Sequence, residues 1–439
     1  MPAWPAIAAA AARRTPTRHE PDQSGIAFTA SPVNIRNERL PRMNAISPKP
    51  ASAAQSAQGM NSQISALIRS VSTEVVQQIY SATISSPGSS QNQINVPLAN
   101  VGLAKGFVVE VTATLANSGT AAASIADFGA ANILSGIQFT DLDNYQRINT
   151  TGLHIAMLNA LKEGWPFGAA LLSSALDTPM AFGNNSGGNV ISASSTIAAS
   201  GTGTVTMKYW VPLAYSKQDL RGAVFMGVVN ATAYLGLTIN PAPGVTTGDN
   251  TLAVYSGANT GVTISSATIR VYQVYLDQLP RYSSGANAGK PILPPIDIST
   301  QYRLVNTSLQ GVTANQDFPI PFTNFQQFLS LCLIYDQAGT RNGGSDINYF
   351  ALTTANTYTL FKVDPYLQLL KQRLRIKADF PKGFYAFDFR DAPIDTNQAG
   401  NMQLLLNAIT AATGTTVMAY FESFALVQAV LGAQSLPAS

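Results

Sequence analysis

The sequence predicts an all-β protein made of two tandem two-sheet sandwiches. Three observations carry the prediction. Strand-type alternation fills two separate stretches of the 439-residue chain, each stretch holds one clear helix, and one hexapeptide occurs at the head of both. The hexapeptides are "VPLANV" (96–101) and "IPFTNF" (320–325): aliphatic, Pro, apolar, small, Asn, apolar. Each precedes a long apolar run, "GFVVEVTATLAN" (106–117) and "FLSLCLIYDQAG" (328–339). Pro97 and Pro321 mark an edge or the start of a strand, and Asn100 and Asn324 supply turn hydrogen bonds.

Residues 1–59 read as a disordered arm. Pro at 2, 5, 16, 21, 32, 41, 48 and 50, among Ala/Ser/Gln tracts, leaves too little apolar surface to offset ordering. From Met60 the spacing of Met60, Ile64, Leu67, Ile68, Val71, Val75 and Ile79 predicts an amphipathic helix over 60–80. Its only charges are Arg69 and Glu74, fewer than a helix on a membrane surface normally carries. Packing against protein is the plainer reading of its apolar face, and packing towards lipid the sharper one.

Residues 81–282 form the first β region. "FVVEVTATL" (107–115), "GTVTMKYWVPLAY" (203–215) and "ATIRVYQVYL" (267–276) alternate between Gly/Ser/Asn loops. The helix here is "TTGLHIAMLNALKEG" (150–164), capped by Thr, striped by Leu153, Met157 and Leu161, and ended by Gly164. "SSGANAGKPILPP" (283–295) reads as a linker. In the second region (296–430) the helix is "DPYLQLLKQRLRIK" (364–377), with Asp364 as cap and Pro365 at its first position. Leu367, Leu370 and Leu374 supply its stripe; Lys371, Arg373, Arg375 and Lys377 read as a solvated face or a subunit contact. Strands resume in "GFYAFDF" (383–389), "MQLLLNAI" (402–409) and "TVMAYFESFALV" (416–427), and 431–439 is a tail. Roughly eight short strands per half fit a two-sheet sandwich, of which the jelly roll is one form. The pattern does not by itself separate it from other sandwiches.

Composition narrows the function. Apolar residues make up 46% of the chain and charged residues only 11%, against a usual ~25%. Such a balance suits long polar loops and surface hidden against other chains. The net charge of +3 resides in residues 1–42, where six Arg oppose Glu20, Asp22 and Glu38. The body is neutral and carries no basic footprint for nucleic acid. Cys332 is the only cysteine, so no disulfide framework exists, and with His19 and His154 it cannot build a metal cluster. His154 has no catalytic partner in sequence. "GNNSGGN" (183–189) lacks the Lys-Ser/Thr and helix of a phosphate-binding loop. Asp127, Asp141 and Asp143 lack a calcium-loop spacing and read as solvated acids. The uncharged stretch 222–239 is broken by Gly227, Asn230, Thr232 and Gly236, which suits two short strands better than a membrane span. No catalytic, cofactor or metal site emerges, and a structural protein is the expectation.

Several non-repetitive words then point to a family. "ANVGLAKGF" (99–107), "DFGAANIL" (127–134), "YWVPLAYSKQDLRGAV" (209–224), "VYQVYLDQLP" (271–280), "ILPPIDIST" (292–300), "GSDINYF" (344–350), "DFPKGFY" (379–385) and "RDAPIDTNQAGN" (390–401) resemble, in order, the major capsid protein of tectiviruses, the membrane-containing bacteriophages. The resemblance implies two eight-stranded jelly rolls in tandem, with an N-terminal helix and short inserted helices. It also implies a homotrimeric, pseudo-hexagonal capsomer that tiles an icosahedral shell around an internal lipid membrane. The expected partners are the chain itself, neighbouring trimers, the vertex (penton) and minor capsid proteins, and the membrane through the N-terminal region, with no sequence-specific nucleic acid. The expected location is the virion capsid, assembled in the host cytoplasm. Ile64, Leu67, Ile68, Arg69, Val71 and Val75 then become candidates for a membrane-proximal or inter-capsomer helix, and 184–201 and 240–262 for outward turret loops. Residues 1–42 have no counterpart in the family. They are expected to be an upstream-start artefact, or to be removed or disordered in the virion. The competing reading is a carbohydrate-binding β-sandwich of a receptor-binding protein or adhesin, which would need an exposed Trp/Tyr platform.

Overall fold

The computed structural model describes residues 63–425, apart from 88–91, 127–128, 164–189, 217, 229–231, 246–252, 258–260, 294–300, 338–339, 342–343, 355–357, 377–382 and 397–400. Alternation in sequence becomes two sets of eight principal strands. The first set is β1 (Thr73–Ser85), β2 (Gln93–Pro97), β3 (Leu103–Asn117), β4 (Leu134–Thr140), β5 (Gln146–Thr150), β6 (Thr202–Pro212), β7 (Tyr234–Ile239) and β8 (Val262–Asp277). The second is β9 (Tyr302–Gln310), β10 (Asp317–Pro321), β11 (Gln326–Gln337), β12 (Ile347–Thr354), β13 (Tyr358–Val363), β14 (Phe384–Asp388), β15 (Met402–Ala408) and β16 (Thr415–Ala425).

In the first set the sheets run β1–β8–β3–β6 and β2–β7–β4–β5; in the second, β9–β16–β11–β14 and β10–β15–β12–β13. Each strand thus has its counterpart eight places on, and each set has jelly-roll topology. The match extends to irregularities. A bulge in β3 at Lys105 lies beside the Val274–Gly106 pair, and one in β11 at Leu329 lies beside the Glu422–Ser330 pair. A two-residue strand, Val224–Phe225 or Ile394–Asp395, pairs with the bulged strand just there.

The hexapeptides lie on the outermost strands. Pro97 ends β2 and Pro321 ends β10, so the edge reading holds and the strand-start reading does not. An edge strand tolerates Pro because no neighbour needs its missing N–H.

The two barrels are fused through their backbones. β5 pairs in parallel with β9, Ile148 opposite Leu304 and Asn149 opposite Val305, which makes one ten-stranded sheet across both barrels. This explains why "FLSLCLIY" is continuously apolar while "FVVEVTATL" alternates. Leu331, Leu333 and Tyr335 of β11 face the core of the second barrel, whereas Cys332 and Ile334 join the core of the first. β3 buries only one face and keeps Val108, Glu110 and Thr112 half-exposed. Sheets buried on both faces lose their polar alternation.

Helices α2 (Gly152–Glu163) and α3 (Pro365–Ile376) occupy the same place, between β5 and β6 and between β13 and β14. Both are capped at the same backbone position: Thr151 Oγ1 accepts from His154 N at 3.3 Å, and Asp364 Oδ1 from Leu367 N at 2.9 Å. Their environments differ. The expected stripe of α2 is buried, and so are His154, Ile155, Leu158 and Asn159, because the second barrel covers its other side. On α3 the expected stripe faces the wrong way. Gln368 and Gln372 point inward and bond the backbone of β14 at Phe384 and Ala386, leaving Leu367, Leu370 and Leu374 exposed.

The helix expected over 60–80 is also corrected. Among the described residues helix α1 spans 63–71, and the chain is extended from Thr73. Val75 and Ile79 fit a strand period as well as a helical one. Twelve registered pairs with β8, from Thr73 opposite Asp277 to Ser85 opposite Ser266, decide for strand. Residues 222–239 contain Val224–Phe225 and β7, as expected for broken apolar sequence. No helix among the described residues is long and apolar enough to cross a membrane. Short strands at 123–125, 196–197, 244–245 and 255–256 join in a small sheet on the first barrel. It gathers parts of the two expected turret loops; 184–189 lie outside the described residues.

Candidate assembly interface

The seam between the barrels is the most elaborate polar site in the described residues. Glu422 projects from β16 towards the first barrel and is 0% exposed. Its Oε1 accepts from Tyr302 at 2.6 Å and lies 2.8 Å from Lys162 Nζ of α2, while Oε2 accepts from Ser330 at 2.7 Å. Burial pushes the Glu422 carboxyl up, but the cations of Lys162 and Arg390 and these hydrogen bonds outweigh it and hold it at about 2. Lys162 also donates to the Tyr215 carbonyl at 2.7 Å and sits within 4.6 Å of the Tyr215 and Tyr302 ring centroids. Arg390 is clamped by Asp388 at 2.6–2.7 Å and reaches the Leu161 carbonyl at 3.0 Å. Arg221, paired with Asp219 at 2.6 Å, lies over Phe424.

These groups tie β16, β9 and the β14 turn to α2 with every carboxylate oxygen of Glu422 satisfied. The arrangement locks one barrel against the other. Among the described residues no group of three His, Cys, Asp or Glu is placed to hold a metal ion.

The other sequence candidates have structural roles. His154 is buried, shares a 2.6 Å hydrogen bond with Thr150 and stacks on Tyr420 at 5.0 Å. Burial holds its imidazole down at about 3, with Lys162 also opposing charge and Glu422 favouring it. Cys332 is buried, and burial pushes its thiol up. Asp141 departs from expectation: it is buried, bonded to Arg147 at 2.6 Å, and its Oδ1 accepts from the Asp143 and Tyr145 amides. It shapes the β4–β5 turn, and Arg147 in turn donates to the Gly222 carbonyl. Asp143 is exposed, and Asp127 and "GNNSGGN" lie outside the described residues. Trp210 is half-buried against Gly106, where an added Cβ would meet its ring at 2.8 Å, so it forms no open aromatic platform.

Of the helix candidates, Ile68 is buried with Leu103, Ala214, Leu220 and Leu276, and Ile64 packs beside it. Leu67, Arg69 and Val71 are exposed on α1. Val75 lies on β1, half-buried, and not on the helix. Asn100 and Asn324 follow the edge strands and are exposed. The seam network was missed in the sequence, although a lone acid inside the apolar strand "AYFESFA" was the available signal.

The fold of two fused jelly rolls is matched by known proteins. The family P3 major capsid protein N-terminal matches residues 55–279, and P3 major capsid protein C-terminal matches 299–438. Major capsid protein P3 of Enterobacteria phage PRD1 is 39% identical over 375 residues, covering 84% of this chain and 92% of that protein. Two solved structures share the fold at 13% identity. The STIV MCP has a TM-score of 0.56 over 82% of this chain and 99% of its own. A structure of Sulfolobus Turreted Icosahedral Virus scores 0.54 over 80% of this chain and 91% of its own. Topology, seam and sequence agree: this chain belongs to the P3 major capsid protein family, and it is a structural protein, not an enzyme.

Proposed function

We propose that three copies of this chain close into a pseudo-hexagonal capsomer that tiles an icosahedral shell around an internal membrane. The observation that carries the reading is the pair of equivalent barrels fused by a head-to-tail seam. A heterologous contact of this kind closes into a ring where its rotation completes a full turn, and three two-barrel chains supply six similar blocks. The division into a first barrel, a linker near 283–295 and a second barrel belongs to this reading, with the first barrel opening at Thr73 instead of residue 81.

The small sheet and its loops on the first barrel form the outward turret. At the N-terminal end, α1 offers Leu67, Arg69 and Val71 as the face towards a neighbouring capsomer or the membrane. Vertex and minor capsid proteins complete the shell, and assembly takes place in the host cytoplasm. Size-exclusion with light scattering, followed by negative-stain imaging, tests the central point. Hexagonal trimers are expected; a stable monomer at all accessible concentrations would contradict it.

A further inference from the structure

Among the described residues, the seam inside the chain has an unoccupied duplicate. Equivalent positions follow from the pairing registers. Val96, Leu235, Phe139 and Ile148 stand in line across one sheet; Ile320, Leu404, Leu352 and Phe361 stand in line across its counterpart. In the first barrel the line continues to Leu304 of β9. In the second it stops at Phe361, because β13 is an end strand. β1, the counterpart of β9, is also an end strand. Leu304 is opposite Glu422, and Val76 is opposite Val274, each next to the matching bulge. Val76 is therefore the counterpart of Leu304. Leu304 is fully buried, while Val76 is 59% exposed.

The helices repeat the contrast. By their caps, Leu367, Leu370 and Leu374 correspond to His154, Met157 and Leu161. The α2 residues are at most 2% exposed beneath the second barrel, whereas Leu370 is 51% and Leu374 73% exposed. Each surface is thus a half-seam, and the two halves are complementary: an open strand edge with an apolar helix beside it, and an open strand edge with a half-exposed sheet face at Val108 and Tyr272.

We propose that β13 of one copy pairs in parallel with β1 of the next, Phe361 opposite Val76 and Lys362 opposite Gln77, with α3 seated on the neighbour's β8 and β3. The occupant is a second copy of this chain. Three such contacts close the ring and leave no open edge at any seam, which removes the aggregation risk of unpaired strands. The inference rests on the trimeric reading and adds the contact that builds it.

Paired cysteines test the register. Facing strand residues lie within disulfide reach, so Gln77→Cys/Lys362→Cys should give a covalent trimer on a non-reducing gel under mild oxidation. Neither single variant should do so, and buried Cys332 should not contribute. Leu370→Asp/Leu374→Asp alters only exposed side chains. It should keep a folded monomer but weaken trimer formation at least about 100-fold, about tenfold for each leucine. If the cysteine variant does not fold, amide exchange on the unmodified trimer decides: amides of β1 and β13 that point away from β8 and β12 should be protected. A trimer without cross-link and without that protection would overturn the seam and leave the trimeric reading standing. An unmodified protein that stays monomeric would overturn both.

Discussion

Replacing Lys162 by Met leaves the Glu422 carboxylate buried without its nearest cation. Glu422 is held at about 2 against an ordinary 4.5. At ~1.4 kcal/mol per pH unit this is about 3 kcal/mol of preference for the charged carboxylate in the folded state. Breaking a buried pair from one side costs a similar ~3–5 kcal/mol. Urea unfolding at pH 7 should therefore show Lys162→Met less stable by about 3 kcal/mol. The sign with pH follows from the depressed carboxyl. Its stabilisation is fully present above 4.5 and is lost as pH falls through about 2, so the gap between protein and variant should narrow in acid. Lys162→Met/Glu422→Gln should recover part of the loss, since the uncompensated charge is gone. A cost under about 1 kcal/mol at pH 7, or a gap that stays constant into acid, would show that Lys162 does not hold the Glu422 charge in the seam.

Leu304→Ala opens a cavity at the seam and should cost about 2–5 kcal/mol in denaturant unfolding, whereas Val76→Ala in the monomer should stay within ~0.5 kcal/mol. Equal costs would deny the difference between the filled and open seams. His154 is held at about 3 against an ordinary 6.5, so below 6.5 the unfolded chain takes up a proton that the folded one refuses. Stability should fall by up to ~1.4 kcal/mol per pH unit from this group, and His154→Phe should flatten that part of the stability profile; an unchanged slope counts against it. Cys332 should resist an aromatic disulfide reagent in the folded protein and react on unfolding; rapid labelling of native protein would contradict its burial.

Much of the architecture was legible because strand period and turn chemistry are local. Strands β3, β6, β8, β14, β15 and β16, both inserted helices and the duplication could be read from alternation, caps and repeated words. What failed was whatever depended on a distant partner. The 71–75–79 spacing fits helix and strand alike, and only β8 decides between them. Leu367, Leu370 and Leu374 declare an amphipathic helix but not which side meets the sheet; two glutamines claim that side by bonding β14. Asp141 looked solvated because Arg147, six residues on, is brought back to it by the β4–β5 turn. Glu422 went unremarked because its partners lie 120 residues away at Tyr302 and 92 at Ser330. The continuous apolarity of "FLSLCLIY" was visible, and its cause, a second barrel on the outer face, was not.

In the proposed capsomer, two fused barrels in one chain are the repeating material of a six-barrel ring. A cryo-EM map of the assembled particle tests this most directly. It should show capsomers of three chains, with six barrel densities joined by alternating seams of one kind, β5 to β9 within a chain and β13 to β1 between chains. Capsomers with any other number of barrels, or chains meeting away from β1 and β13, would contradict it.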